Sequence, residues 1–201
     1  MFQTKTMLVL VGLALMVVAI IGIFRTSRSV ALTPKYDCEI HIAFQGHQKM
    51  ISLSQALNTN DWPTFSNDLF SFTYPPDWKV SSIYSSSTAE YMAYIFPGDS
   101  SKSQFGTTIR TILKATTTPP EIRNEISLHT SLPIEQLSCT LAGMPASVFN
   151  VGDQNASYML RVALFGGHTV SYLTLNEPGQ AGPESFDAFR AILNSFAGPN
   201  L

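Results

Sequence analysis

Hydrophobic positions along this chain follow three patterns in succession. Met7 to Phe24 runs for eighteen residues without a charge. At ~1.5 Å per helical residue this spans a hydrocarbon core ~30 Å thick, so it predicts one transmembrane helix. Beyond it apolar residues alternate at period two, the mark of half-buried strands. In three places the spacing changes to three or four, the mark of amphipathic helices.

Cys38, Ile40, Ile42 and Phe44 alternate with Glu39, His41 and Ala43 and predict a short strand. Met50, Leu53 and Leu57 at i, i+3 and i+7 predict a short amphipathic helix after it, with Asn58 to Asp61 as the break. Phe70, Phe72 and Tyr74 share one face of a further strand, which Pro75-Pro76-Asp77 stops because proline removes ladder donors. Trp78 and Val80 start the next strand, and segments 90–96 and 105–114 continue the sheet. In 90–96, Tyr91, Ala93 and Ile95 face one way while Met92, Tyr94 and Phe96 face the other. A strand apolar on both sides is expected to be covered on both, with helices on each face.

Pro119-Pro120-Glu121 marks a helix start, with Ile122, Ile126 and His129 at helical spacing and Pro133 ending the run. Strands are predicted over about 134–141, 145–151 and 157–165. Tyr158, Leu160, Val162 and Leu164 point opposite to Met159, Arg161 and Ala163. Gly166-Gly167 signals a hairpin into a last strand, Thr169 to Leu175. Phe186, Phe189, Leu193 and Phe196, with Ile192, form the stripe of a closing helix that begins at Gly182-Pro183-Glu184, and Gly198 is expected to cap it. The organisation read from these patterns is residues 1–25 anchor, 26–61 linker with an accessory strand and helix, and 62–201 main domain.

Phe70-Ser71-Phe72-Thr73-Tyr74-Pro75-Pro76-Asp77-Trp78, the turn Leu141-Ala142-Gly143-Met144-Pro145-Ala146 and the closing Ile192-Leu193-Asn194-Ser195-Phe196 occur in an order that resembles the PsbP/Mog1-like superfamily over residues 62–199. The resemblance implies an α+β fold, an α/β/α sandwich with a mostly antiparallel sheet, preceded here by the one transmembrane helix. It also implies action by binding other proteins. No residue of this chain matches a metal-binding or partner-binding set of that superfamily, so none is carried over.

Charge changes the picture in one respect. From Trp62 onward seven Lys/Arg face eleven Asp/Glu, a net charge of −4. A nucleic-acid footprint needs clustered basic residues, so no nucleic-acid partner is expected. Around the apolar run, Lys5 and the terminal amine precede, and Arg25, Arg28 and Lys35 come after. That count favours a cytoplasmic main domain, whereas signal-like N-terminal segments usually export the domain behind them. Export is the expectation adopted: a single-pass membrane protein with an extracytoplasmic domain. Ser29-Val30-Ala31 offers a cleavage site, and the length of the apolar run favours an uncleaved anchor. Cys38 and Cys139 fit two accounts equally, a disulfide in an oxidising compartment or two buried thiols.

Catalytic chemistry is sparse. Histidine is the usual general base or metal ligand. His41 and His47 lie too loosely for a metal signature, His129 sits at the margin of a helix's apolar face, and His168 comes just after a hairpin glycine pair. No Gly-x-Ser-x-Gly, Walker or dinucleotide glycine pattern occurs. Asp77 beside Trp78 reads as a turn residue, and Tyr84, Tyr91 and Tyr94 as packing residues. No catalytic, cofactor-binding or metal residue is assigned, and no cofactor is expected. The reading is a non-catalytic interaction or assembly module, held in membrane lipid through Met7–Phe24 and meeting an unknown protein partner. An unfamiliar hydrolase and a small-ligand binder are the alternatives.

Overall fold

The computed structural model describes residues 38–44, 46–99, 106–113, 117–178 and 183–198. The predicted membrane segment and linker lie outside the described residues. Among these residues no helix is long and apolar enough to cross a membrane.

Among the described residues eleven strands and two helices occur in the order β1 (Glu39–Phe44), β2 (His47–Ser52), β3 (Thr64–Ser66), β4 (Ser71–Thr73), β5 (Trp78–Ser85), β6 (Glu90–Pro97), β7 (Thr107–Leu113), α1 (Pro119–His129), β8 (Ile134–Leu141), β9 (Met144–Gly152), β10 (Ser157–Gly166), β11 (Thr169–Asn176) and α2 (Pro183–Ser195). Seven of the strands form one antiparallel sheet in the order β5-β6-β7-β11-β10-β9-β8. β1-β2 and β3-β4 are separate two-stranded ribbons.

Strand alternation fixes two faces. On the first, Ala93, Ile109, Leu173, Val162 and Val148 lie in cross-strand register and, with Ile95 beside them, are almost wholly buried. Phe186, Phe189, Ile192, Leu193 and Phe196 of α2 and its C-terminal extension pack on this face, with Phe72 of β4, Phe70 just before it, and Ile40 and Ile42 of β1. On the second face, Phe149, Val151, Ala163, Val170 and Tyr172 bury Ile122 and Ile126 of α1. One helix on each face thus results from the two apolar stripes, as the 3.6-residue spacing implied.

Four local expectations are corrected. Residues 47–52 are a strand, not the start of the helix expected over Met50, Leu53 and Leu57. Gly46 at φ +81° closes a two-residue loop, and that turn sets Ile51 opposite Ile40. Leu53 N–H then donates to Cys38 O at 2.7 Å, extending the ladder where a helix would need its own bonds. Met50 is 55 % exposed, so its apolar character never marked a core face.

Tyr158 does not share the face of Leu160. The register of β10 on β9 slips by one residue between Ser157 and Met159, a bulge that leaves Tyr158 without a partner on β9 and turned outward. Gly198 does not cap α2 in the left-handed region, since its φ is not positive. The chain instead leaves the helix as an extended bridge, Ala197 and Ser71 exchanging two main-chain bonds of 2.9 Å. The fourth correction concerns the second face of β6, which helix α1 does not reach.

Cys38 and Cys139 form a disulfide across 101 residues, with Cα atoms 5.7 Å apart. This closes the choice left open by spacing alone, and it ties the β1-β2 ribbon to the edge strand β8. The ribbon is held by hydrogen bonds as well: Ala43 N–H donates to Ser157 Oγ at 3.0 Å, and Asn150 Nδ2 donates to His41 O at 2.7 Å.

These fastenings are open to two measurements. A loop this long gives a disulfide about 2–5 kcal/mol of stabilising effect, so the double variant Cys38→Ser/Cys139→Ser is expected to lose that much in urea unfolding while keeping its far-UV spectrum. The second concerns acid. Glu121 accepts Thr118 N–H at 2.7 Å at the start of α1, and Asp153 accepts the N–H groups of Asn155 and Ala156 at 2.7 and 3.0 Å. Backbone hydrogen bonds hold both carboxyls below the usual carboxylate range. Lowered pKa values stabilise the fold fully above the unfolded value of about 4 and lose that effect as pH falls through the folded one. Thermal melts of Glu121→Gln/Asp153→Asn are therefore expected to lie below wild type near neutrality and to converge with it in acid.

Candidate functional site

The second face of the sheet is roofed over only part of its width. α1 covers β8 to β11, whereas β5 and β6 carry no described element above them on this side. Ile83 and Met92 are directly opposite one another in register, and so are Lys79 and Phe96. Ile83 is 66 % exposed and Met92 44 %. Tyr94 and Phe96, half-buried, stack with ring centroids 5.2 Å apart. The expectation of a helix over Met92, Tyr94 and Phe96 is thus corrected among the described residues: α1 is eleven residues long, about 16 Å, and is too short to roof seven strands spaced about 4.8 Å apart.

Where the covered and open halves meet, Met92, Thr108, Arg110, Arg161, Tyr172 and Thr174 line a depression of about 200 Å³. β7, β11 and β10 are successive in the sheet, and register places Arg110 opposite Tyr172. Arg161 lies next to them, its guanidinium 5.7 Å from the centre of the Tyr172 ring, a cation–π distance. Arg110 is held by Glu90 through two bonds, Nη2 to Oε1 at 2.6 Å and Nε to Oε2 at 3.2 Å. That hydrogen bonding raises the Arg110 pKa from its ordinary value.

Arg161 is less well served. Its Nε donates to Thr174 Oγ1 at 3.3 Å, and Nη1 is 3.7 Å from Glu125 Oε1, beyond hydrogen-bond reach. Burial pushes its pKa down from the ordinary value, with Glu125 opposing that. An arginine stays charged regardless, so the site holds a partly desolvated cation with a loose counter-ion. Burial also raises the Tyr172 pKa, which keeps the phenol neutral and a hydrogen-bond donor. The arrangement suits recognition of an acidic group beside apolar surface. A protonated phenol and two guanidinium groups supply no base or nucleophile near neutral pH.

The histidines weighed in the sequence are spread apart. His41 lies on β1, with Nδ1 3.7 Å from Glu135 Oε1, and His47 begins β2 at its other end. His129 is exposed at the end of α1, beside Ile126 at the margin of that helix's buried stripe. His168 is exposed in the β10-β11 turn. Among the described residues no three of His, Cys, Asp and Glu gather in a metal-binding group. Asp77 is exposed, and its main-chain carbonyl accepts Gly98 N–H at 3.0 Å. Tyr91 packs edge-on against Phe70 at 5.2 Å, while Tyr84, opposite it, is 52 % exposed.

Arg110, Arg161 and Tyr172 escaped the sequence reading. Their signal was an arginine inside each of two strands, on positions whose neighbours Met159, Ala163 and Ile112 are apolar.

No family model matches this chain, and no curated protein matches it. Among solved structures the chain is similar to the solution structure of cyanobacterial PsbP (CyanoP) from Synechocystis sp. PCC 6803. The two are 12 % identical, with 68 % of this chain and 91 % of that chain covered and a TM-score of 0.45.

The contrast between the two halves of this face is measurable. Ile83→Lys and Met92→Lys are expected to change unfolding free energy by no more than about 0.5 kcal/mol, as exposed sites do. Phe149→Ala, beneath α1 on the same face, is expected to cost about 3–5 kcal/mol. Urea titrations of the three variants provide the comparison.

Proposed function

We propose that this chain is a membrane-tethered module displayed on the extracytoplasmic side, where it docks a protein partner and performs no turnover. The observation that carries the reading is the open second face of β5 and β6, apolar through Ile83 and Met92 and continuous at Met92 with the Arg110–Tyr172–Arg161 depression. Apolar surface rimmed by polar groups is a usual form of a protein-binding face, and tyrosine and arginine are both enriched among the residues that dominate its binding energy. The partner is a protein surface presenting apolar side chains and one carboxylate, which replaces the distant Glu125 as counter-ion to Arg161.

The side of the membrane is supported by the Cys38–Cys139 disulfide, because such bonds persist in oxidising compartments and are rare in the cytosol. The tether itself rests on the uncharged Met7–Phe24 run.

In-cell photocrosslinking tests the docking face. A crosslinking residue at position 83 or 92 is expected to give a discrete adduct with a membrane-associated protein, lost in the Arg161→Glu background. The same residue at Leu128, 83 % exposed on α1, serves as control. Equal adducts from 92 and 128 would overturn the reading. Protease added to intact cells or spheroplasts is expected to remove the domain, and full protection would reverse the assigned side.

A further inference from the structure

On the other side of the molecule, the β1-β2 ribbon leaves one strand edge unpaired. In an antiparallel pair, alternate residues turn their N–H and C=O groups toward the partner strand, and the intervening ones turn them away. Leu53 N–H donates to Cys38 O, and the same register pairs Ile40 with Ile51 and Ile42 with Lys49. Those residues therefore bond across the ribbon, and Gln48, Met50 and Ser52 direct their main-chain groups outward from β2.

On β1, two of the matching outward groups are occupied: Ala43 N–H by Ser157 Oγ and His41 O by Asn150 Nδ2. For those of Gln48, Met50 and Ser52 no partner exists among the described residues.

The free edge borders a cleft of about 540 Å³ between β2 and the first half of α2. Met50, Ile51, Pro183 and Phe186 make it largely apolar, with Lys49 at its margin. One end is closed, since Arg190 Nη1 donates to Gln55 Oε1 at 2.8 Å and Asn194 Nδ2 donates to Leu53 O at 2.9 Å. Arg190 is neutralised by Asp187 at 2.7 Å. Lys49 has no acidic partner among the described residues and leaves the cleft with one uncompensated positive charge.

We infer that β2 is a docking edge, to which an extended segment of a partner protein adds as a third strand of the ribbon. Its main chain bonds to Gln48, Met50 and Ser52, its apolar side chains enter the cleft against Met50 and Phe186, and an acidic residue meets Lys49. Such strand addition draws affinity from the main chain and specificity from alternate side chains. An aliphatic chain of lipid or detergent would fill the apolar wall but leave the main-chain groups of β2 dry, at the cost of unmade hydrogen bonds. A peptide strand satisfies both walls. β2 is six residues long, so the segment needs about six residues. This surface is independent of the β5-β6 face and engages a partner through main-chain bonds, which that face does not offer.

The test uses the full chain in lipid nanodiscs and a phage library of random heptapeptides, panned in parallel on wild type and on Met50→Pro. The Met50 N–H points outward, so proline there removes a docking bond and no bond of the ribbon. Wild type is expected to enrich peptides with alternating apolar residues and an acid, and Met50→Pro to enrich none of them.

With the most enriched peptide bound, amide exchange at Gln48, Met50 and Ser52 is expected to slow at least tenfold, while Lys49 and Ile51 change little. On the unaltered protein, N-methylation of the peptide amides facing β2 is expected to weaken binding at least tenfold, and methylation of the intervening amides to have little effect. Lys49→Glu is expected to weaken binding of the acidic peptides several-fold. Absence of enriched peptides, enrichment shared with Met50→Pro when both proteins melt alike, unchanged exchange at the three amides, or equal effects of the two methylation patterns would each overturn the inference.

Discussion

Burying one face of a seven-stranded antiparallel sheet is the constraint on which the rest of this molecule depends. That face is long, and α2 alone, thirteen residues, cannot span it. The chain completes the cover with two small ribbons, β3-β4 carrying Phe65 and Phe72, and β1-β2 carrying Ile40 and Ile42. Phe70, Phe72 and Phe196 then pack ring to ring at 5.7 to 6.0 Å, joining the end of α2 to the strand before β5. Aromatic rings bury much surface at few rotatable bonds, so this cluster fastens the end of α2 to the start of the main sheet.

Among the described residues the opposite face receives a single helix, and the shortfall has consequences. Under α1 the strands are dry and tightly packed, down to Phe149 and Ala163 at 0 % exposure. Beyond its edge the sheet presents Met92 and Ile83 to solvent. Arg110, Arg161 and Tyr172 occupy the boundary, where a long amphipathic side chain can lay its stem on apolar surface and keep its charged head near water. The pairing of Arg110 with Glu90 is close, and that of Arg161 with Glu125 is not. Such an imbalance leaves a partly buried cation available to an incoming carboxylate.

The β1-β2 ribbon combines two roles. Its disulfide and its bonds to Ser157 and Asn150 secure one edge to the main sheet, and by doing so they leave the other edge alone beside α2. A two-stranded hairpin is marginal by itself in water. Here the cross-link and the buried Ile40, Ile42 and Leu53 supply what the missing third strand would.

Much of this was readable in the chain. Period-two alternation located the start of β5 and, within a residue or two, β6 to β11, and the Phe186–Phe196 stripe located α2, because these patterns state which side of each element must leave water. The Pro119-Pro120-Glu121 start of α1 was equally local, resting on a capping geometry formed by adjacent residues. The β1-β2 hairpin was misread as strand plus helix because three apolar residues at helical spacing fit either form; the turn at Gly46 and the bond to Cys38 O decided between them. Local sequence also determined that Met92 and Ile83 are apolar and that arginines interrupt two strands. Only the tertiary structure decided that α1 stops short of β6, that Arg110, Arg161 and Tyr172 meet, and that Cys38 faces Cys139 across 101 residues. Periodicity fixes which way a side chain points relative to its own strand; the distance between strands far apart in the chain, and the reach of the helix laid over them, are set by packing.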